Sequence, residues 1–308
     1  MAIHLLTGAE LTAGELHALI ERAEQLKLNR MVAAKTAAQD GPLRGKTVAL
    51  LFEKPSTRTR MSSEIAVREL GGTPLVLAGD AMQLSRGESV RDTALVMSRY
   101  VHAIGVRTGP QQTVDELAMH GSVPVINLLT QEHHPCQALA DLLTLKECHG
   151  ALAGKRIVYV GDGNNVATSL MVLGAKAGVS VTVATPPDLA PHPYMVQLAQ
   201  SQAEQGAQIA VTGDPQAAVV GADAIYADVW VSMGDEQSDK KKKQLAPFQL
   251  NELLLAKAGP QAVALHCLPA HVGEEIDEQA LYGPRSAVFA QAENRLHVFK
   301  SLLEHLLT

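Results

Sequence analysis

The sequence predicts an α/β protein of two domains, each a parallel sheet flanked by helices. Three observations carry that expectation. Apolar runs of strand length alternate with segments of helical period along the whole chain. The 308 residues are enough for two domains of the usual ~100–200 residues each. The segment His149-Gly-Ala-Leu-Ala-Gly-Lys155 then breaks the alternation near the middle and reads as a seam.

Residues 11–39 read as a helix, with apolar positions recurring at Leu16, Leu19, Ile20 and Ala23. Residues 47–52, preceded by Gly45, fit a buried strand. The loop 53–56 leads into a helix that stops at Gly71 and Gly72, and further strands are expected at 73–77, 103–107 and 123–128. A helix at 137–149 has Pro135 suited to its first turn and Gly150 past its end. The second half repeats the style, with a strand at 156–161, a helix at 167–177 and a strand at 179–184. Short strands are expected at 209–212, 224–226, 263–265 and 287–289, and a terminal helix at 293–307.

With 46% apolar but only 3% aromatic residues, aliphatic side chains must fill the cores. The net charge of −6, from 26 basic and 32 acidic residues, argues against a nucleic-acid partner, since gripping phosphates takes a basic surplus. The one basic run, Lys240 to Lys243, follows Asp235, Glu236 and Asp239 and reads as a solvated loop. Three scattered cysteines do not make a disulfide framework. Glu10, Glu15, Glu21 and Arg22 punctuate the first thirty residues, and no apolar run approaches the ~20 residues that span a bilayer. The expected setting is cytoplasmic, with no membrane partner.

Polar clusters sit where strands give way to helices. Ser56-Thr-Arg-Thr-Arg60 opens a helix, where unpaired N–H groups and the dipole favour an anion, and its hydroxyls and guanidinium add directional donors. An ordinary helix cap is the competing reading. His133-His-Pro-Cys-Gln137 likewise aims a histidine and an amide at a helix start. A zinc site from His133, His134, Cys136, Cys148 and His149 fails, because a helix would separate the two cysteines by ~18 Å. Gly161-Asp-Gly-Asn-Asn165 imitates a dinucleotide fingerprint, yet Val166 holds the third glycine position and Thr185 stands where a ribose-binding acid belongs. A turn presenting Asn164 and Asn165 to a polar substrate fits better. Asp228-Val-Trp-Val-Ser-Met-Gly234 offers a carboxylate for a cationic amine, or is a surface turn with one buried Trp230. His266-Cys-Leu-Pro269 puts a thiol at a strand end, where packing is the usual role. Arg295, in Glu293-Asn-Arg295, is either a surface residue or a further phosphate ligand.

Taken together, in order and over nearly the whole chain, these motifs with Gln83 and Arg107-Thr108 resemble the aspartate/ornithine carbamoyltransferase family. The arginine loop and His134-Pro-Cys-Gln137 mark the family as a whole, while Ser232-Met-Gly234 and His266-Cys-Leu-Pro269 mark its ornithine branch. The resemblance implies transfer of a carbamoyl group from carbamoyl phosphate to the side-chain amine of L-ornithine, giving L-citrulline and phosphate. It implies a carbamoyl phosphate domain at 1–148, joined by a returning C-terminal helix at 291–308, and an ornithine domain at 149–290. Ser56, Thr57, Arg58, Thr59 and Arg107 would hold the phosphate. His134, Pro135, Cys136, Gln137, Cys267, Leu268 and Arg295 would surround the carbamoyl end. Asn165, Asp228, Ser232 and Met233 would take ornithine, and Arg107, His134 and Cys267 would be catalytic. Gln83, in the loop carrying Arg86, would reach a neighbouring subunit's site, which implies a homotrimer. Neither cofactor nor metal is implied.

Val272, where many members carry a basic residue, and Met61 and Ser63, in place of an aromatic-rich stretch, depart from the family pattern. Three other readings compete. A carbamoyltransferase for another amine such as putrescine would have no α-carboxylate for the 228–234 turn to bind. A dinucleotide oxidoreductase lacks its third glycine, and a non-catalytic interaction protein would not need polar groups at so many strand ends.

Overall fold

A computed structural model describes residues 2–33, 40–79, 87–231 and 238–308. The chain divides into two compact units, Met1–Ala140 with Glu293–Thr308, and Asp141–Ala292. The chain passes between them within two helices, α5 (Pro135–His149) and α12 (Val288–Leu307).

The first unit holds a four-stranded parallel sheet of β1 (Thr47–Phe52), β2 (Thr73–Ala78), β3 (Ala103–Arg107) and β4 (Val125–Leu129), in spatial order β2-β1-β3-β4. Its helices are α1 (Ala13–Ala33), α2 (Thr57–Glu69), α3 (Val90–Met97), α4 (Gln111–His120) and parts of α5 and α12. Val48, Ala49, Leu50 and Leu51 are all buried in succession, which a strand covered on both faces requires. Gly105 on β3 is enforced by packing, since a Cβ there would come within 3.0 Å of the Leu50 side chain.

The second unit holds a five-stranded parallel sheet in the order β7-β6-β5-β8-β9. Its strands are β5 (Arg156–Val160), β6 (Ser180–Ala184), β7 (Ile209–Thr212), β8 (Ala224–Ala227) and β9 (Val263–His266). The helices are α6 (Asn165–Lys176), α7 (Pro193–Ser201), α8 (Pro215–Ala218), α9 (Ser238–Leu245), α10 (Glu252–Lys257) and α11 (Glu278–Tyr282). Tyr159 and Tyr226, opposite each other on β5 and β8, stack with ring centroids 5.6 Å apart.

Each sheet contains one point where the strand order reverses, between β1 and β3 and between β5 and β8. Loops leaving neighbouring strands at such a point diverge and open a crevice at the strands' C-terminal ends. The polar motifs of the sequence leave from these ends.

The terminal helix is bound to the first unit by specific contacts. Arg22 on α1 pairs with Glu304 at 2.6 Å, Lys300 pairs with Glu69 of α2 at 2.9 Å, and Lys46 donates to the Leu307 carbonyl. Burial would raise the Glu69 carboxyl, but Arg30 and Lys300 hold it below its ordinary value.

Two expectations are corrected. Residues 287–289 are not a strand. Ser286 makes a single bridge to Ala264 and α12 then starts at Val288. The reason is visible in the helical spacing of buried Val288, Leu296, Phe299, Leu302 and Leu303, which outweighs a local β preference. Lys240 to Lys243 are not a loop but lie in α9, where Lys241 pairs with Asp162 and Lys242 with Glu274. Lysine is a good helix former once its charge is met. Smaller differences concern helix ends: α1 is shorter than 11–39, with 34–39 outside the described residues, and α6 begins at Asn165.

Leu50, fully buried on an inner strand, sets a test of the packing. Leu50→Ala is expected to destabilise the chain by about 2–5 kcal/mol in urea unfolding.

Candidate active site

In the first unit the site grows from the first turn of α2. Ser56 is its N-cap residue in extended conformation, yet its side chain makes no capping bond. The ordinary cap reading therefore fails, since Ser56 does not offer its hydroxyl to the first N–H groups of α2. Arg58 is half-buried and its Nε is buried with no hydrogen-bond partner among the described residues. Thr57 is exposed at the same turn.

Thr59 turns inward and is 3% exposed. Its Oγ1 accepts a 2.6 Å bond from the Arg295 guanidinium and a 3.3 Å bond from that of Arg107. One hydroxyl thus gathers a residue from α12 and one from the end of β3, and Arg295 is no surface residue. Arg107 lies at the C-terminal end of β3, beside β1, so the order reversal places it next to the α2 loop.

His134 precedes α5, and its carbonyl accepts the N–H groups of Gln137 and Ala138. Burial, with the charges of Arg295 and Arg107, pushes the imidazole well below its ordinary value. Its neutral form, with an N–H donor, is therefore favoured near neutral pH over the cation. Gln137 is fully buried beside Pro135, the first residue of α5. Cys136 points the other way, its thiol donating to the Asn127 carbonyl at 3.4 Å, with burial pushing it up to about 12. Any contact of Cys136 with a ligand would have to come from its backbone.

In the second unit the site lies at the ends of β5, β8 and β9. Gly161 ends β5 with φ +129, a conformation that favours glycine. Asn164 caps α6, its Oδ1 accepting from the N–H groups of Val166 and Ala167. Its Nδ2 donates to Asp228 Oδ2 at 2.7 Å, and the Tyr159 hydroxyl reaches its Oδ1 at 3.2 Å. Asn164 therefore orients Asp228, and Asn165 is the first residue of α6. Asp228 follows β8, is 6% exposed, and receives the Cys267 thiol at 2.8 Å on Oδ1. Burial, then the charge of Asp228, holds the Tyr159 hydroxyl well above its ordinary value, so it stays a donor.

Cys267 follows β9 and is partly exposed, with its thiol turned to Asp228. His266 uses both ring nitrogens within its own loop. Nδ1 accepts the Leu268 N–H at 2.8 Å, which leaves Nε2 to donate to buried Glu275 at 3.2 Å. Leu268 sits at φ +57, a strained conformation that these bonds sustain. Trp230 is 5% exposed, as its buried reading required.

Among the described residues, His271, Glu274 and Glu275 bring possible metal-ligand atoms within 4.8 Å of one another. Their carboxylates already face Lys242 and His266, so internal partners serve that cluster. Gln83, Ser232 and Met233 lie outside the described residues. The sequence reading missed the buried Asp141, Gln291 and Tyr226. Only the polar character of Gln291 beside Glu293-Asn-Arg295 signalled any of them.

A helix start ringed by three arginines and a neutral histidine, with a separate carboxylate–thiol–amide group, defines a transferase that handles an anion and a polar co-substrate. The chain belongs to the aspartate/ornithine carbamoyltransferase family. The family's carbamoyl phosphate-binding domain matches residues 3–147, and its Asp/Orn binding domain matches 153–306. The chain is 50% identical to an ornithine carbamoyltransferase of a Parafrankia species, over 99% of this chain and 96% of that one. It is 47% identical to that of Hyperthermus butylicus, over 98% and 96%. The solved ornithine carbamoyltransferase of Pyrococcus furiosus superposes with a TM-score of 0.94 at 44% identity, over 100% and 98% of the two chains.

Four histidines, His4, His133, His134 and His297, are lowered from 6.5, mainly by burial. Their folded values lie below the unfolded one, so between the two the unfolded chain binds more protons and stability falls as pH falls. Melting temperature should drop between about pH 7.5 and about pH 5.5, and His134→Asn should shrink that drop.

Proposed function

We propose that the chain transfers the carbamoyl group of carbamoyl phosphate to the side-chain amine of L-ornithine, giving L-citrulline and phosphate. The observation that carries this reading is the meeting of Arg107 and Arg295 on Thr59, beside Arg58 at an uncapped helix start. Guanidinium groups gathered at one helix start suit a doubly charged phosphate, which they can meet with paired, charge-assisted hydrogen bonds. Relatives named ornithine carbamoyltransferase at about half identity support the choice of acceptor.

In this reading the first unit is the carbamoyl phosphate domain and the second the ornithine domain. Ser56, Thr57, Arg58, Thr59 and Arg107 hold the phosphate. His134, with Gln137 and Arg295, attends the carbamoyl group. Asp228, Asn165, Ser232 and Met233 hold ornithine, with Cys267 at its side-chain amine.

The chemical difficulty is the amine. An alkyl ammonium titrates near ~10.4, so keeping it neutral at pH 7 costs about 4–5 kcal/mol at about 1.36 kcal/mol per unit. Nearby guanidinium charge disfavours the ammonium form. The neutral amine attacks the carbonyl carbon, and charge growing on the carbonyl oxygen meets His134 and Arg107. His134, kept neutral by burial and by its cationic neighbours, meets that oxygen as an N–H donor. Phosphate departs toward Arg58 and accepts the amine proton.

The same reading gives a cytoplasmic enzyme of arginine biosynthesis that assembles as a homotrimer, with Gln83 serving a neighbouring site. A putrescine enzyme is the second reading, and it lacks a substrate carboxylate for Ser232 and Met233 to bind.

Citrulline should form from ornithine and carbamoyl phosphate, and turnover confined to putrescine would overturn the choice of acceptor. Arg58→Gly should lower kcat by about 10³-fold or more in a folded chain. Cys267→Ala should raise KM for ornithine more than KM for carbamoyl phosphate, and equal effects would refute its placement.

A further inference from the structure

The end of β9 depends on a buried polar chain that the proposed reaction does not itself use. β9 is an edge strand, so N–H groups on its outer side lack a partner strand. Ala264 solves this with the Arg285 carbonyl. His266, the last residue of β9, solves it with a side chain: its N–H donates to Gln291 Oε1 at 2.8 Å. Gln291 Nε2 in turn donates to Asp141 Oδ1 at 2.6 Å, and the Tyr226 hydroxyl reaches the same oxygen at 3.4 Å. His266, Gln291, Asp141 and Tyr226 are all fully buried.

A buried carboxylate is costly to keep, and an apolar replacement of similar shape is often neutral or stabilising. Here the carboxylate is linked through Gln291 to the residue before Cys267. Asp141 is the first residue of the second unit and Gln291 its second-last, so the bond joins the helices by which the chain enters and leaves it. We propose that Gln291, oriented by Asp141, is a positioning residue that fixes the backbone at His266 and thereby aims the Cys267 thiol at Asp228. The thiol's 2.8 Å bond to Asp228 tolerates little movement of the preceding peptide. The kinetic consequence rests on the proposed carbamoyl transfer, whereas the effect on the thiol does not.

The test uses the full chain carrying Cys148→Ser, which removes the exposed thiol. Cys136, pushed up to about 12 by burial, stays silent, so iodoacetamide reports on Cys267. In Gln291→Leu the alkylation rate at fixed pH should change by about 5-fold or more, and its pH profile should move. KM for ornithine or kcat should worsen by about 10- to 100-fold while KM for carbamoyl phosphate holds within about 2-fold.

The pair Asp141→Asn with Gln291→Glu reverses the polarity of the chain: the new amide donates to the new carboxylate, which still accepts the His266 N–H. This double substitution should restore the parental alkylation profile, and Gln291→Glu alone should not. A role confined to stability would lower the melting temperature with alkylation and KM values unchanged, which would overturn the proposal. Failure of the double substitution to restore alkylation in a folded chain would overturn it too. If Gln291→Leu does not fold, the double substitution decides alone. Should the parent chain make no citrulline, the function proposed above fails, and the alkylation result still judges the role of Gln291.

Discussion

In the first unit the Arg107 and Arg295 guanidiniums meet on the hydroxyl of Thr59, with Arg58 half-buried one residue before it. Like charges brought this close repel, and burial weakens the water that would screen them. The arrangement persists because each group is anchored by a different element: Thr59 by the first turn of α2, Arg107 by β3, Arg295 by α12. The result is a local concentration of positive charge. The state of His134 follows from the same field, since burial and its two cationic neighbours strip it of charge.

The second unit inverts that polarity. Asp228 is the centre, held by an amide from Asn164 and a thiol from Cys267. The Val229 N–H adds a third donor, at 2.8 Å to the same oxygen as the thiol, so the carboxylate is held in one orientation. Both centres sit where the order of parallel strands reverses, so one geometric rule of open sheets places two centres of opposite charge. Matches to both family domains along almost the full chain agree with this division of labour.

Much of this was legible in residue order. Alternating apolar runs located the strands, because a strand buried on both faces leaves little choice of side chain. Motifs at strand ends were legible because a loop there must satisfy a helix start, and residues that do more than cap it stand out. The failures were local signals overruled at a distance. Residues 287–289 have β-type side chains, but the apolar spacing from Val288 onward commits them to α12. Lys240 to Lys243 fold as helix since Asp162 and Glu274, remote in sequence, supply the counter-charges. Asn164 looked like a substrate ligand and instead spends its side chain on the helix cap and Asp228.

The sequence alone determined the α/β class, the two-part organisation and the family, because periodicity and ordered motifs are properties of residue order. Tertiary structure decided which polar groups face each other. That Thr59 unites arginines from β3 and α12, that His134 is uncharged, and that Gln291 supports the peptide before Cys267 are outcomes of distance and burial. These arise only when segments up to 236 residues apart are packed together, which no local pattern encodes.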